Sequence, residues 1–131
     1  MHSMLSVLCA TLAVAVASPV FASDFDGSKR LICAPVQAMD RALGEDCLKA
    51  LPEEVGAPAF MRIDFEKKTV SGPQRTSPVQ FLEKSEKQLL LQGTELGYAW
   101  TIALDQVSGK MMVTLVDRDG AFVLFGSCTP L

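Results

Sequence analysis

The sequence predicts an all-β fold: a small antiparallel meander closing into a barrel or sandwich, with a short helical segment in its N-terminal third. Three observations predict it. From Ala59 onward, apolar and polar residues alternate with period two, as a half-buried strand requires. Turn residues recur about every ten positions, the spacing of a meander. Helical spacing is confined to one stretch, and Pro52 and Pro58 interrupt it.

The chain begins MHSMLSVLCATLAVAVASPVFAS. A short apolar core followed by Val20-Phe21-Ala22 is the pattern of a secretory signal peptide, with cleavage expected after Ala22. The apolar run is too short, and its downstream flank too polar, for a membrane-spanning helix. Met1 to Met4 carry no Lys or Arg, an unusual start for such a leader. Cys9 lacks a preceding small residue and comes too early to be a lipidation site. What remains, residues 23–131, is about 109 residues, the size of one domain able to bury a core without metals or several staples.

Within that domain, KRLICAPV reads as a strand interrupted by Pro35, which places it at a sheet edge. From there Val36, Met39, Leu43, Cys47 and Leu51 also fall at helical spacing. The reading adopted is a strand, a loop near Ala42-Leu43-Gly44, and one or two helical turns around Cys47 to Leu51. AFMRIDF follows: Ala59, Met61, Ile63 and Phe65 form one face, and Phe60, Arg62 and Asp64 the other. Glu66 to Lys68 turn the chain into TVSGP, and PVQFLEKSEKQLLLQG folds back on itself around Lys84-Ser85-Glu86-Lys87. In GYAWTIAL, Tyr98, Trp100, Ile102 and Leu104 share a face. Asp105 to Gly109 then form a hairpin loop ending in the glycine that a positive φ demands. MMVTLV, the turn Asp117 to Gly120 (DRDG) and AFVLFG complete the meander.

Composition closes several chemistries. All 15 acidic and 12 basic residues lie beyond Ala22, so the domain carries a net charge of -3. That balance argues against nucleic acid or an anionic membrane as partner. The single histidine is His2, inside the leader, so the domain is predicted to have no Ser-His-acid triad, Cys-His dyad or histidine-ligated metal. Three cysteines without a CxxC spacing fit neither a redox pair nor a zinc knuckle, and in an exported chain they point to a structural disulfide. If the sheet closes, its first and last strands are neighbours, which favours Cys33–Cys128 and leaves Cys47 as a free thiol. A local Cys33–Cys47 staple is the alternative. A bridge closing about 95 residues would supply on the order of 4 kcal/mol.

Other candidates have plainer readings. DRDG lacks the further oxygen ligands and terminal Glu of a calcium loop, as does SDFDG, Ser23 to Gly27, so both are turns. Trp100 and Tyr98 are a possible stacking platform, although a lone Trp on the apolar face of a central strand belongs more often to a core. Asp64, Glu66 and Glu83 sit where alternation exposes them, so a glycosidase-like acid/base pair is not expected. A packed interior is the safer expectation for so short a chain.

Taken together, LICAPV, FMRID, RTSPV, LLLQGTELGYAW and the closing FVLFGSCTPL resemble an uncharacterised family of small exported, periplasmic proteins of Gram-negative bacteria. The resemblance spans most of Leu31 to Leu131. It implies a further cysteine where this chain has Arg41, hence two bridges, one from the first strand to the C-terminus and one local. Here Cys47 would lack its partner. No activity follows from the resemblance. The expectation is a non-enzymatic periplasmic binding or accessory module, without metal or cofactor, whose partner is an envelope protein or small ligand bound at the barrel mouth near Trp100 or along a sheet edge. Its rivals are a small enzyme using carboxylates or a Cys47 thiol activated by Arg41 or Lys49, and a purely structural envelope protein.

Overall fold

A computed structural model describes residues 14–18, 23–42 and 44–131. The leader expected at residues 1–22, with its cleavage point, lies mostly outside them. Among the described residues no helix is long and apolar enough to cross a membrane.

The described residues form ten strands, all paired antiparallel. They are β1 (Leu31–Ala42), β2 (Leu48–Ala50), β3 (Met61–Asp64), β4 (Thr69–Ser71), β5 (Thr76–Pro78), β6 (Phe81–Lys84), β7 (Gln88–Glu95), β8 (Tyr98–Asp105), β9 (Lys110–Val116) and β10 (Gly120–Pro130). Their order in the sheet is β5-β4-β3-β1-β10-β9-β8-β7-β6, with β2 added on β1. The two ends of this path, β5 and β6, are consecutive in the chain. Between them the Val79 N–H donates to the Lys68 carbonyl beside β4 (2.8 Å), and the Gln80 N–H donates to the Gln92 carbonyl of β7 (2.9 Å). One bent segment thus bonds first to one edge of the sheet and then to the other. The sheet curls into a barrel-like wall with that segment as its seam. Counting the bent segment once, eight strands surround the interior.

β1 and β10 pair along most of their length, from Leu31↔Pro130 to Ala42↔Gly120. This placement corrects the expectation that Pro35 marks an edge strand. β1 lies inside the sheet, between β10 on one side and β3 and β2 on the other. The proline is accommodated because β3 pairs only as far as Cys33 and β2 begins only at Ala38, so Pro35 lacks a strand on that flank. It also sits at a β-bulge, where the register shifts between Pro35 and Gln37. The bulge moves the inward set from Leu31, Cys33 and Pro35 to Ala38, and leaves Val36 69% exposed. Gly126 lies opposite Pro35, and a Cβ there would stand 2.9 Å from the Pro35 Cα, so the bulge requires the glycine.

A second correction concerns Cys47 to Leu51. These residues are not helical; Leu48–Ala50 form β2, paired with β1 from Ala38 to Asp40. Pro52 does not stop a helix but opens a 3-10 turn, Pro52–Val55, where its fixed φ and missing N–H fit the first helical position. The Leu51 N–H donates to the Glu54 carboxylate at 2.7 Å, and Gly56 ends the turn at φ 77°.

Inward residues fill one half of the wall. Leu31, Ile63, Leu89 and Leu104 are all but inaccessible, and Phe25 and Phe65 pack beside them. The Phe25 ring occupies the space over Gly109 that a side chain there would take. The Ser23 hydroxyl donates to the Gln106 carbonyl, and the Gln106 side-chain amide donates to the carbonyls of Ser85 and Gln88. This end of the barrel is closed. Cys33 and Cys128, direct partners in the β1–β10 ladder, are disulfide-bonded in the same half.

Candidate functional site

The other end is open. There the inward faces of β3, β4 and β7–β10 enclose a cavity of about 550 Å³ that reaches the surface. Ile102, Val113 and Leu124 at its base are no more than 3% exposed, so the cavity lies over a packed floor. Period-two alternation puts Trp100 and Ile102 of β8, Val113 of β9, Leu124 of β10 and Met61 of β3 at the base. Tyr98, Leu115 and Phe122, one step further along their strands, form the walls.

Trp100 is 5% exposed, belonging both to the core and to the cavity floor. Its position rests on two partners. Gly93 faces it across the β7–β8 ladder, and a Cβ there would lie 2.6 Å from Trp100 Cε2 and 2.7 Å from the Pro78 carbonyl oxygen. Glycine inside a strand marks just such a close approach. The indole N–H donates to Ser77 Oγ at 2.9 Å, and the Ser77 hydroxyl donates to the Thr94 carbonyl at 3.0 Å. This relay ties β8, β5 and β7 together across the seam. It also satisfies the polar atoms of the floor, so what Trp100 presents to the cavity is apolar ring surface.

Tyr98 stands nearer the mouth, its ring 5.9 Å from that of Phe122 and tilted by 46°. The charge of Asp117, in the DRDG turn, disfavours the phenolate and holds the Tyr98 pKa above its ordinary value, with desolvation adding in the same direction. At the rim, Arg75 Nε approaches Glu95 Oε1 at 4.0 Å; both are solvent-accessible, so the pair contributes little to stability.

The remaining candidates are placed elsewhere. Cys47 is unpaired and exposed in the loop between β1 and β2, with Arg41 Nη1 3.9 Å from its sulfur. Lys49 points outward from β2, across from Met39. Asp64 accepts the Lys67 N–H at 2.9 Å, a turn interaction, and borders a shallow groove with Glu66 near Gly27 to Arg30. Glu83 is exposed on β6, in neither cavity nor groove. Asp117 accepts the N–H groups of Asp119 and Gly120 at 2.8 and 2.9 Å, and Asp26 accepts that of Ser28 at 2.9 Å, so both acidic motifs spend their carboxylates on turns. Among the described residues no group of three His, Cys, Asp or Glu side chains is arranged to hold a metal.

Alternation in the sequence points to Trp100 and Tyr98 and to the mouth near them, but not to Ser77 or Gly93. Gly93, set among apolar strand residues two positions beyond Leu91, is the signal that was there to be used. Comparison with protein-family models, with characterised proteins and with solved structures finds no match for this chain.

Proposed function

We propose that this protein is a non-enzymatic binding module of the bacterial periplasm whose site is the open mouth of the barrel, and that its ligand is a small, largely apolar molecule. The observation that carries the reading is the cavity of about 550 Å³, floored by Trp100 and walled by apolar side chains. That volume lies within the roughly 300–1,000 Å³ of ligand pockets. A wall of about eight strands is also the size at which a barrel holds either side chains or one small ligand. The Ser77 relay leaves the floor without a free donor, so a ligand's polar group belongs at the rim and its apolar part inside. The Cys33–Cys128 disulfide is compatible with an oxidising, exported location. The leader expected at residues 1–22 supports periplasmic residence in the same direction.

The test uses the only tryptophan of the chain as its own reporter. The mature protein is titrated with N-phenyl-1-naphthylamine, a neutral apolar dye, while Trp100 emission and dye emission are followed together. Saturable quenching of Trp100 with matching growth of dye fluorescence supports the site. No change up to the solubility limit of the dye sinks it.

A further inference from the structure

One residue of the rim fits neither its turn nor the core. β7 and β8 are joined by Leu96 and Gly97 alone, since Glu95 and Tyr98 are already ladder partners. Both linking residues have positive φ, 50° and 83°. A two-residue hairpin turn with two positive φ values is of the type whose first position Asn, Asp or Gly normally fills, because a larger side chain crowds its own carbonyl there. Leucine has no polar side chain to stabilise that conformation. It is also 67% exposed, so the core gains little from it. The other non-glycine residue with positive φ among the described residues, Lys68 at 54°, is a solvated turn residue away from the cavity and needs no explanation. Leu96 by contrast lines the cavity, as do Val55 and Pro58. Strain held at the edge of a site is where a functional reason is sought.

Resting on the binding function proposed above, we infer that Leu96 is an affinity-determining lip of the site, its side chain covering the outer part of a bound apolar ligand. This narrows the ligand class. A molecule whose apolar body ended at the floor would leave Leu96 in water, with strain and exposed hydrocarbon surface uncompensated. A ligand that fills the mouth with hydrocarbon or aromatic surface as far as the rim gives Leu96 something to cover.

The experiment compares wild type, Leu96→Asn and Leu96→Met in the same dye titration, with a thermal melt of each. Asn suits the turn better, so Leu96→Asn is expected to melt at the same or a higher temperature while losing about fivefold to tenfold in dye affinity, the worth of roughly half of a leucine side chain's burial. Leu96→Met keeps the apolar cover and stays within about twofold of wild type. Two results overturn the inference: Leu96→Asn binding the dye as tightly as wild type, or Leu96→Asn melting lower, which would show that the fold itself selects the leucine. Wild type that binds no dye defeats the site itself, and that failure is visible before any variant is compared.

Discussion

Removing the Cys33–Cys128 bridge by the double substitution Cys33→Ala and Cys128→Ala should cost much of the protein's stability, and the structure indicates why. The bridge spans 95 residues, so in the chain-entropy account it removes about 4.7 kcal/mol of freedom from the unfolded chain. It has little left to do in the folded state, because eleven residue pairs of β1 and β10 already hold the two ends of the domain together. Two small voids where the sulfurs were add to the loss, and residual structure in the unfolded chain subtracts from it, which leaves about 3–5 kcal/mol. For a domain of this size that is a fall of roughly 12–20 °C in melting temperature. Natural domains hold only about 5–15 kcal/mol in total, so the variant should be marginal at 37 °C. Urea unfolding followed by Trp100 fluorescence gives both terms needed. The midpoint should fall, and the denaturant slope should rise because an uncrosslinked unfolded chain exposes more surface. Reduced wild type should behave like the variant. A variant within about 1 kcal/mol of wild type, with an unchanged slope, would refute the claim that the bridge acts on the unfolded state.

Four further outcomes follow from the geometry. Gly93→Ala places a methyl group against the Trp100 ring and the Pro78 carbonyl; it should cost about 1–3 kcal/mol and shift Trp100 emission, and unchanged emission would show that the ring does not rest on this glycine. Tyr98 is the only tyrosine, so its ionisation can be read by absorbance alone: it should titrate above the ordinary 10.0, and Asp117→Asn should bring it down. The carboxylate of Asp105 accepts the N–H groups of Val107 and Ser108, both at 2.8 Å, and these bonds depress its pKa below 3.8 in the fold. Its stabilisation is therefore complete above that value and lost as pH falls through the depressed one; in acid unfolding, Asp105→Asn should flatten the pH dependence in this window, and an unchanged profile would count against it. Finally, Phe25→Ala should lower stability by roughly 2 kcal/mol and leave dye binding intact if the two ends of the barrel act separately; a matching loss of dye affinity would show that they do not.

Legibility in the sequence followed the range of the forces involved. Strands from Met61 onward were readable because period-two alternation and the turn chemistry of Asp105 and Asp117 are local. The stretch from Val36 to Leu51 misled for an equally local reason. The bulge beyond Pro35 shifts the inward set by one residue, and a slipped alternation puts Val36 and Met39 three apart, as on a helix face. Pro35 was read as an edge residue from its missing N–H, correctly in chemistry but not in place: a gap between two short neighbours, β3 and β2, serves as well as an edge. Cavities are the hardest case, since they depend on what is missing between distant residues. The Ser77–Trp100 bond spans 23 positions and exists only because the chain switches sheet edges at Val79-Gln80. Leu96 gave no sign in the sequence, where its strain depends on a turn of two residues rather than three.

The contrast between the two ends of the barrel is what makes the mouth more than a packing defect. The same alternating strands run through both halves, and the inward positions of both are mostly apolar. At the closed end an extra segment, Ser23 to Gly27, crosses the opening; Phe25 seals it and the Ser23 hydroxyl pins it to Gln106. At the open end there was material to do the same. The 3-10 turn at Pro52–Val55 and the β4–β5 turn both reach the rim, yet neither places an aromatic residue over the opening; they contribute Val55, Gly72 and Pro73. Filling such a space with side chains is worth roughly 0.8 kcal/mol per buried methylene, so leaving it empty forgoes stability. A chain that closes one end with a phenylalanine, and at the other keeps a void bordered by a strained leucine, has its stability and its accessible apolar surface at opposite ends. That separation suits the binding site proposed above, because a ligand could occupy the mouth while the disulfide and the Phe25 seal hold the other half together.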